Sequence, residues 1–133
     1  MEMKLELVPV PVRDIDRSMA FYTEKLGFAL DVDVSPSPGV RVVQLTPPGS
    51  ACSIVISTGL DELADMTPGS IRGLHLVVND IAEAREELLG RGVAVGDLTP
   101  VGGGVTYAWM SDPDGTPSPC NRWTGGPETP SES

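Results

Sequence analysis

A single histidine, His75, and two cysteines, Cys52 and Cys120, are all this chain has of the usual metal-binding side chains of nitrogen and sulfur. One imidazole rules out a His-x-x-x-His site, and two unlike thiols suggest neither a disulfide framework nor a zinc knuckle. Positive charge is scarce too. Nine Lys and Arg stand against nineteen Asp and Glu, a formal charge of -10. Such a surface repels nucleic acid and anionic membrane, so neither is expected as a partner and a small molecule is. No apolar run approaches a membrane span and no signal peptide opens the sequence, so a soluble, cytoplasmic protein is expected. Neither a glycine-rich phosphate loop nor a Ser-His-Asp order occurs. Gly102-Gly-Gly104 opens a strand and not a helix, so it lacks the helix N-terminus that binds phosphate; it reads as a loop hinge.

What is present is a repeat. Val8-Pro-Val-Pro-Val-Arg-Asp14-Ile15 and Leu74-His-Leu-Val-Val-Asn-Asp80-Ile81 each read as a short apolar strand stopping at Asp-Ile, where the carboxylate can cap a helix. Glu83 adds a capping box to the second copy. Ile15, Met19, Tyr22 and Leu26, then Ile81, Ala84 and Leu88, recur at helical spacing, and the helices run out at Gly27 and at Gly90 and Gly92. With 133 residues, 40% of them hydrophobic, the chain is one ordinary domain able to bury a core.

In chain order the first strand, residues 5–12, contains Pro9 and Pro11, which cannot donate to a ladder, so it belongs at an edge. Alternation sends Val8, Val10 and Val12 to one face and Leu7, Pro9 and Pro11 to the other. Strands are expected over 28–34, 40–46 and 51–57, which completes a β-α-β-β-β unit, followed by a connector with a helical turn around 60–66. A second unit follows, with a strand over 73–79, a helix over 81–89, and strands over 93–95 and 105–110.

These residues resemble the vicinal oxygen chelate superfamily of glyoxalases, bleomycin-resistance proteins and extradiol dioxygenases. The pieces that carry the resemblance are Val12-Arg-Asp-Ile-Asp-Arg-Ser18, Phe21-Tyr22 before Leu26-Gly27-Phe28, Leu45-Thr-Pro-Pro-Gly49, Leu74 to Ile81, Arg91-Gly-Val93 and Ser111-Asp-Pro-Asp-Gly115. It implies an α+β fold of two tandem β-α-β-β-β modules, about 5–58 and about 73–115, forming an open barrel around a cavity within a single domain over 1–115. It also implies a homodimer. Metal ligands are implied seven residues before each Asp-Ile aspartate and on the last strand near residue 122. Those positions hold Leu7, Gly73 and Arg122, none of which supplies the donor a divalent ion needs at about 2.0–2.2 Å. No cofactor is therefore expected.

Four residues are candidate ligand contacts: His75, Tyr107, Trp109 and Gln44. His75 shares a face with the Gly73 position, as a pocket or core histidine or as a general base. Tyr107 and Trp109, two apart, either stack on a flat ligand or fill the barrel. Arg41 and Gln44 fall on opposite faces, so at most one meets the cavity. Cys52 reads as a small buried hydrophobe, and Asp112-Pro-Asp-Gly115 as turn chemistry. Two functions follow: metal-independent binding of a small apolar or aromatic molecule in the cavity, or a lyase, isomerase or dioxygenase using His75 or a metal with unusual ligands.

The ending departs from the resemblance, which implies a closing strand of Asn-x-aromatic-x-Leu-Gln. Thr116-Pro-Ser-Pro-Cys-Asn-Arg-Trp123 has two prolines and no alternation, so residues 116–133 are expected to be a disordered tail and not a central strand. Written as degenerate codons and read from the third base, Gly115 to Asn121 permits Asn, a small residue, Phe or Val, a small residue, Leu and Gln. A single-base deletion near the Gly115 codon would account for that coincidence. It would also leave 105–110 as an exposed sheet edge.

Overall fold

Asp14 and Asp80 cap their helices as their place in the repeat requires. In the computed structural model, which describes residues 1–59 and 65–123, Asp14 accepts from the Arg17 N–H at 3.1 Å and Asp80 from the Glu83 N–H at 3.0 Å. The chain divides into two compact units, Met1–Arg72 with Asp112–Thr116, and Gly73–Ser111 with the residues from Pro117 on. Each carries one four-stranded sheet and one capped helix, so the fold is α+β with two β-α-β-β-β modules.

The first unit runs β1 (Leu7–Pro9), α1 (Ile15–Ala20), β2 (Ala29–Ser37), β3 (Val40–Thr46) and β4 (Ser53–Thr58), in sheet order β1-β4-β3-β2. The proline-bearing β1 lies at an edge and pairs in parallel with β4 alone, with Leu7 opposite Ser53 and Pro9 opposite Val55. Helix α1 continues as a wider π-type turn over Phe21–Lys25, where the Leu26 N–H reaches back to the Phe21 carbonyl at 3.2 Å. Gly27, at φ +76°, then turns the chain out. Register fixes two faces. Val8, Val43, Leu45, Ile54 and Ile56 lie under α1, and Val43, Leu45, Ile56, Val10 and Tyr22 are wholly buried. Each such side chain contributes about 1.5–3 kcal/mol relative to an exposed one. Leu7, Pro9, Val42, Gln44, Thr46, Ser53, Val55 and Ser57 form the opposite, open face.

The second unit runs β5 (Leu76–Val77), α2 (Ile81–Gly90), β6 (Thr99–Gly102), β7 (Val105–Ala108) and β8 (Cys120–Trp123), in sheet order β5-β8-β7-β6. Gly92, at φ +84°, ends α2. Leu74, Leu76 and Val78 are partly covered while His75 and Val77 are exposed, the alternation expected of this segment. The strand expected at 93–95 is not one. Val93 and Val95 are buried in irregular chain, and the pairing strand lies at Thr99–Gly102, in the segment expected to be loop.

The larger correction is at the end of the chain. Residues 120–123 form a central strand, between β5 and β7, so β7 is not an exposed edge. The reason is the spacing of the prolines. Pro117 and Pro119 are two apart, so their backbones face the same neighbour. Their carbonyls accept from the Leu74 and Leu76 N–H groups at 2.8 and 2.9 Å, and the donors they lack would also have pointed toward β5. The intervening Ser118 turns to the other side and donates to the Met110 carbonyl at 2.8 Å. The ladder with β7 is therefore kept, and the unclosed module that a shifted frame would leave is not found. Residues 60–64 and 124–133, part of the expected helical turn and of the expected tail, lie outside the described residues.

Candidate functional site

On the open face of the second sheet three rings stand in a row. The parallel register of β5 with β8 and the antiparallel register of β8 with β7 place His75 and Val77 on the same face as Asn121, Tyr107 and Trp109. The His75 and Tyr107 ring centroids are 5.8 Å apart with planes at 56°, and those of Tyr107 and Trp109 are 5.3 Å apart at 71°, close to edge-to-face. Trp109 is 46% exposed and Val77 64%, so this row presents apolar surface. Three of the four candidate contacts, His75, Tyr107 and Trp109, are thus brought together. Gln44 belongs to the first unit, on the open face of its own sheet, and Arg41 is on the reverse face, where it pairs with Asp16 of α1 and Asp33 of β2.

The positions at which the resemblance implies a metal do not fit one. Leu7 is an apolar residue against Ser53, and Arg122 is a cation on β8 opposite Thr106. A Cβ built on Gly73 would lie 3.2 Å from His75 Nε2, so the imidazole is folded over the place a side chain there would occupy. Among the described residues no three His, Cys, Asp or Glu side chains gather as a metal site.

The remaining candidates have structural roles. Asp112 is buried, accepts from Tyr22 Oη at 2.8 Å, and takes the N–H groups of Asp114 and Thr116 at 2.9 Å each. Asp114 accepts from Arg17 Nη2 at 3.1 Å and from the Arg13 backbone and side chain, which fastens the Asp-Pro-Asp-Gly turn to the start of α1. The acids of that turn were legible as turn chemistry. Their partners 90 and more residues away were not. Burial pushes the Cys120 thiol up, which keeps it protonated and unreactive, and Cys52 is half-buried beside Ser53.

A family model for the Glyoxalase/Bleomycin resistance protein/Dioxygenase superfamily matches residues 4–117. The chain belongs to that superfamily. Solved structures within reach of it agree. It is similar to TnmS3, an antibiotic binding protein from Streptomyces sp. CB03234, at 35% identity over 92% of this chain and 98% of that one, with a TM-score of 0.80. It is similar to a glyoxalase/bleomycin resistance protein from the same strain at 36% identity, covering 89% and 99%, with a TM-score of 0.73. A member of the superfamily from Sphaerobacter thermophilus DSM 20745 matches at 28% identity, covering 91% and 98%, with a TM-score of 0.78. No curated protein matches the chain. No helix among the described residues is long and apolar enough to cross a membrane.

Proposed function

We propose that this superfamily member is a metal-independent binding protein that holds a small apolar or aromatic molecule against His75, Tyr107 and Trp109. The observation that carries the reading is the row of three rings on an open sheet face, in a chain whose expected metal positions are leucine, glycine and arginine. Rings set edge to face leave further edges and faces for a flat guest, and each good aromatic contact is worth about 0.5–1.5 kcal/mol beyond its area. The similarity to TnmS3, an antibiotic binding protein, supports the same reading. Binding is proposed to occur in a cytoplasmic homodimer, and light scattering at micromolar concentration should then report twice the 14.0 kDa chain mass.

The test uses prodan, a neutral naphthalene dye whose emission moves to the blue in an apolar site. Saturable blue-shifted binding is expected, weakened about tenfold by Trp109→Ala or Tyr107→Ala and unchanged by EDTA. One ion of zinc, nickel, manganese or iron held tightly per chain, with dye binding lost on chelation, would overturn the reading.

A further inference from the structure

The open face of the first sheet carries a polar line with a direction. Thr46 Oγ1 donates to the Asp31 carboxylate, which only accepts, and lies 2.6 Å from Ser53 Oγ. Because Thr46 has given its one proton away, Ser53 must donate to Thr46. Ser53 then has only lone pairs left for Gln44, whose Nε2 lies 3.3 Å from it. The chain of donations therefore runs Gln44, Ser53, Thr46, Asp31. It settles the orientation of the Gln44 amide, with nitrogen toward Ser53 and Oε1 turned away as an acceptor with no partner among the described residues.

A second, independent observation lies two residues along the same face. Ser57 is 7% exposed, and its Oγ is buried with no hydrogen-bond partner among the described residues. Alternation along β4 puts it on the face of Ser53 and Val55, opposite Val42 of β3. A buried hydroxyl without a partner is destabilising in the free protein, and one change of its χ1 well re-aims it. Gln44 is opposite Val55 and Ser57 opposite Val42, so the two are diagonal neighbours, about 7–8 Å apart at the backbone. That is within the span of a single amide making a hydrogen bond of about 2.9 Å at each end. Leu7, Pro9, Val42 and Val55 supply apolar walls.

We propose that this face binds an uncharged carboxamide or lactam group, Gln44 Oε1 accepting from its N–H and Ser57 Oγ donating to its carbonyl oxygen. The proposal rests on the small-molecule reading above. An anion is disfavoured by Asp31 at the end of the line and by Arg41 facing the other way, engaged with Asp16 and Asp33.

The probes are 2-naphthamide, its ketone analogue 2-acetonaphthone, which has no N–H, and the anion 2-naphthoate, titrated calorimetrically and followed by amide NMR shifts. Naphthamide should bind about fivefold or more tighter than either analogue and shift resonances in 42–46 and 53–57. Gln44→Met should remove the preference over the ketone, and Ser57→Ala should weaken naphthamide and acetonaphthone alike. Ser57→Ala should leave the unfolding midpoint unchanged or raise it, since it deletes a hydroxyl with no partner; a clear fall would show that the hydroxyl is already satisfied and overturn the proposal. Equal binding of all three probes, or binding unaffected by both variants, also overturns it. If naphthamide shifts only 105–109, the aromatic reading stands and this site does not exist. If no probe binds and prodan fails as well, both fall together.

Discussion

The two units share a strand, an Asp-capped helix and three further strands, yet the repeat is loaded unequally. The first pairs strands of up to nine residues over wholly buried Val10, Tyr22, Val43, Leu45 and Ile56. The second pairs strands of two to four residues, and its fully buried side chains are small ones such as Pro119 and Ser118. Tyr107 and Trp109 are turned to the open face instead. One copy of the repeat has the larger wholly buried side chains, and the other leaves aromatic surface exposed. The widest gap between them should appear on truncation. Leu45→Ala is expected to lose about 3 kcal/mol, or about 12 °C in unfolding midpoint, whereas Leu76→Ala, half-covered in the second unit, should lose about 1 kcal/mol. Equal losses would break the comparison.

A second contrast lies inside the weaker unit, at the strand that sequence reasoning dismissed. If both prolines of the closing segment face β5, then donors toward β7 are the ones that matter. Ser118→Pro removes the bond to the Met110 carbonyl and should lower stability by about 2–3 kcal/mol. Pro119→Ala restores a donor on the other side, so it should change stability little. Thermal unfolding followed by circular dichroism separates the two. A large gain from Pro119→Ala would mean that the strand is held against its own sequence, and would revive the shifted-frame explanation.

That error shows where the sequence was legible and where it was not. Asp14 and Asp80 could be read because a cap acts within three residues of itself. The edge position of β1 followed from Pro9, and the opposite placement of Arg41 and Gln44 from simple alternation. Proline counting failed at Pro117 and Pro119 because a proline is harmful only on the side where a donor is needed, and that side is set by register with strands 12 to 44 residues away. The π-type turn over Phe21–Lys25 and the docking of Asp112 on Tyr22 are likewise products of packing. The row of His75, Tyr107 and Trp109 was half legible: spacing paired the last two, and only the sheet order brought His75 beside them.

The caps offer a smaller effect that sharpens the same comparison. Asp14→Ala and Asp80→Ala should each lose about 1 kcal/mol, since each frees one N–H in the first turn of its helix. Amide exchange should nevertheless differ between them. α1 is held by wholly buried Tyr22, so its amides should keep most of their protection, while α2, whose buried residues are Ile81 and Leu88 only, should open more readily. Equal loss of protection in both helices would argue that the two units unfold as one.

The smallest effect is electrostatic and belongs to the first unit alone. Arg41 donates from Nε and Nη2 to both oxygens of Asp33 at 3.0 and 2.9 Å, and from Nη1 to Asp16 at 2.8 Å, tying β3 to β2 and to α1. Those hydrogen bonds, more than the charge itself, hold the Asp33 carboxyl below its ordinary value and raise the guanidinium further. A carboxylate whose folded value is depressed adds stability that is fully present above its unfolded value, near 4, and that disappears as pH falls through the lower folded value. Wild type and Asp33→Asn should therefore differ most at neutral pH and converge in acid, the difference closing only below about pH 4. Because the pair is solvent-exposed, the difference should also shrink in molar salt. No equivalent ion pair joins strand to strand among the described residues of the second sheet, so Arg85→Gln, which cuts the links to Asp97 and the Gly96 carbonyl, should leave the acid limb below pH 4 unaltered. A matching change in that variant would show that the acid response is a property of net charge and not of the Arg41 cluster.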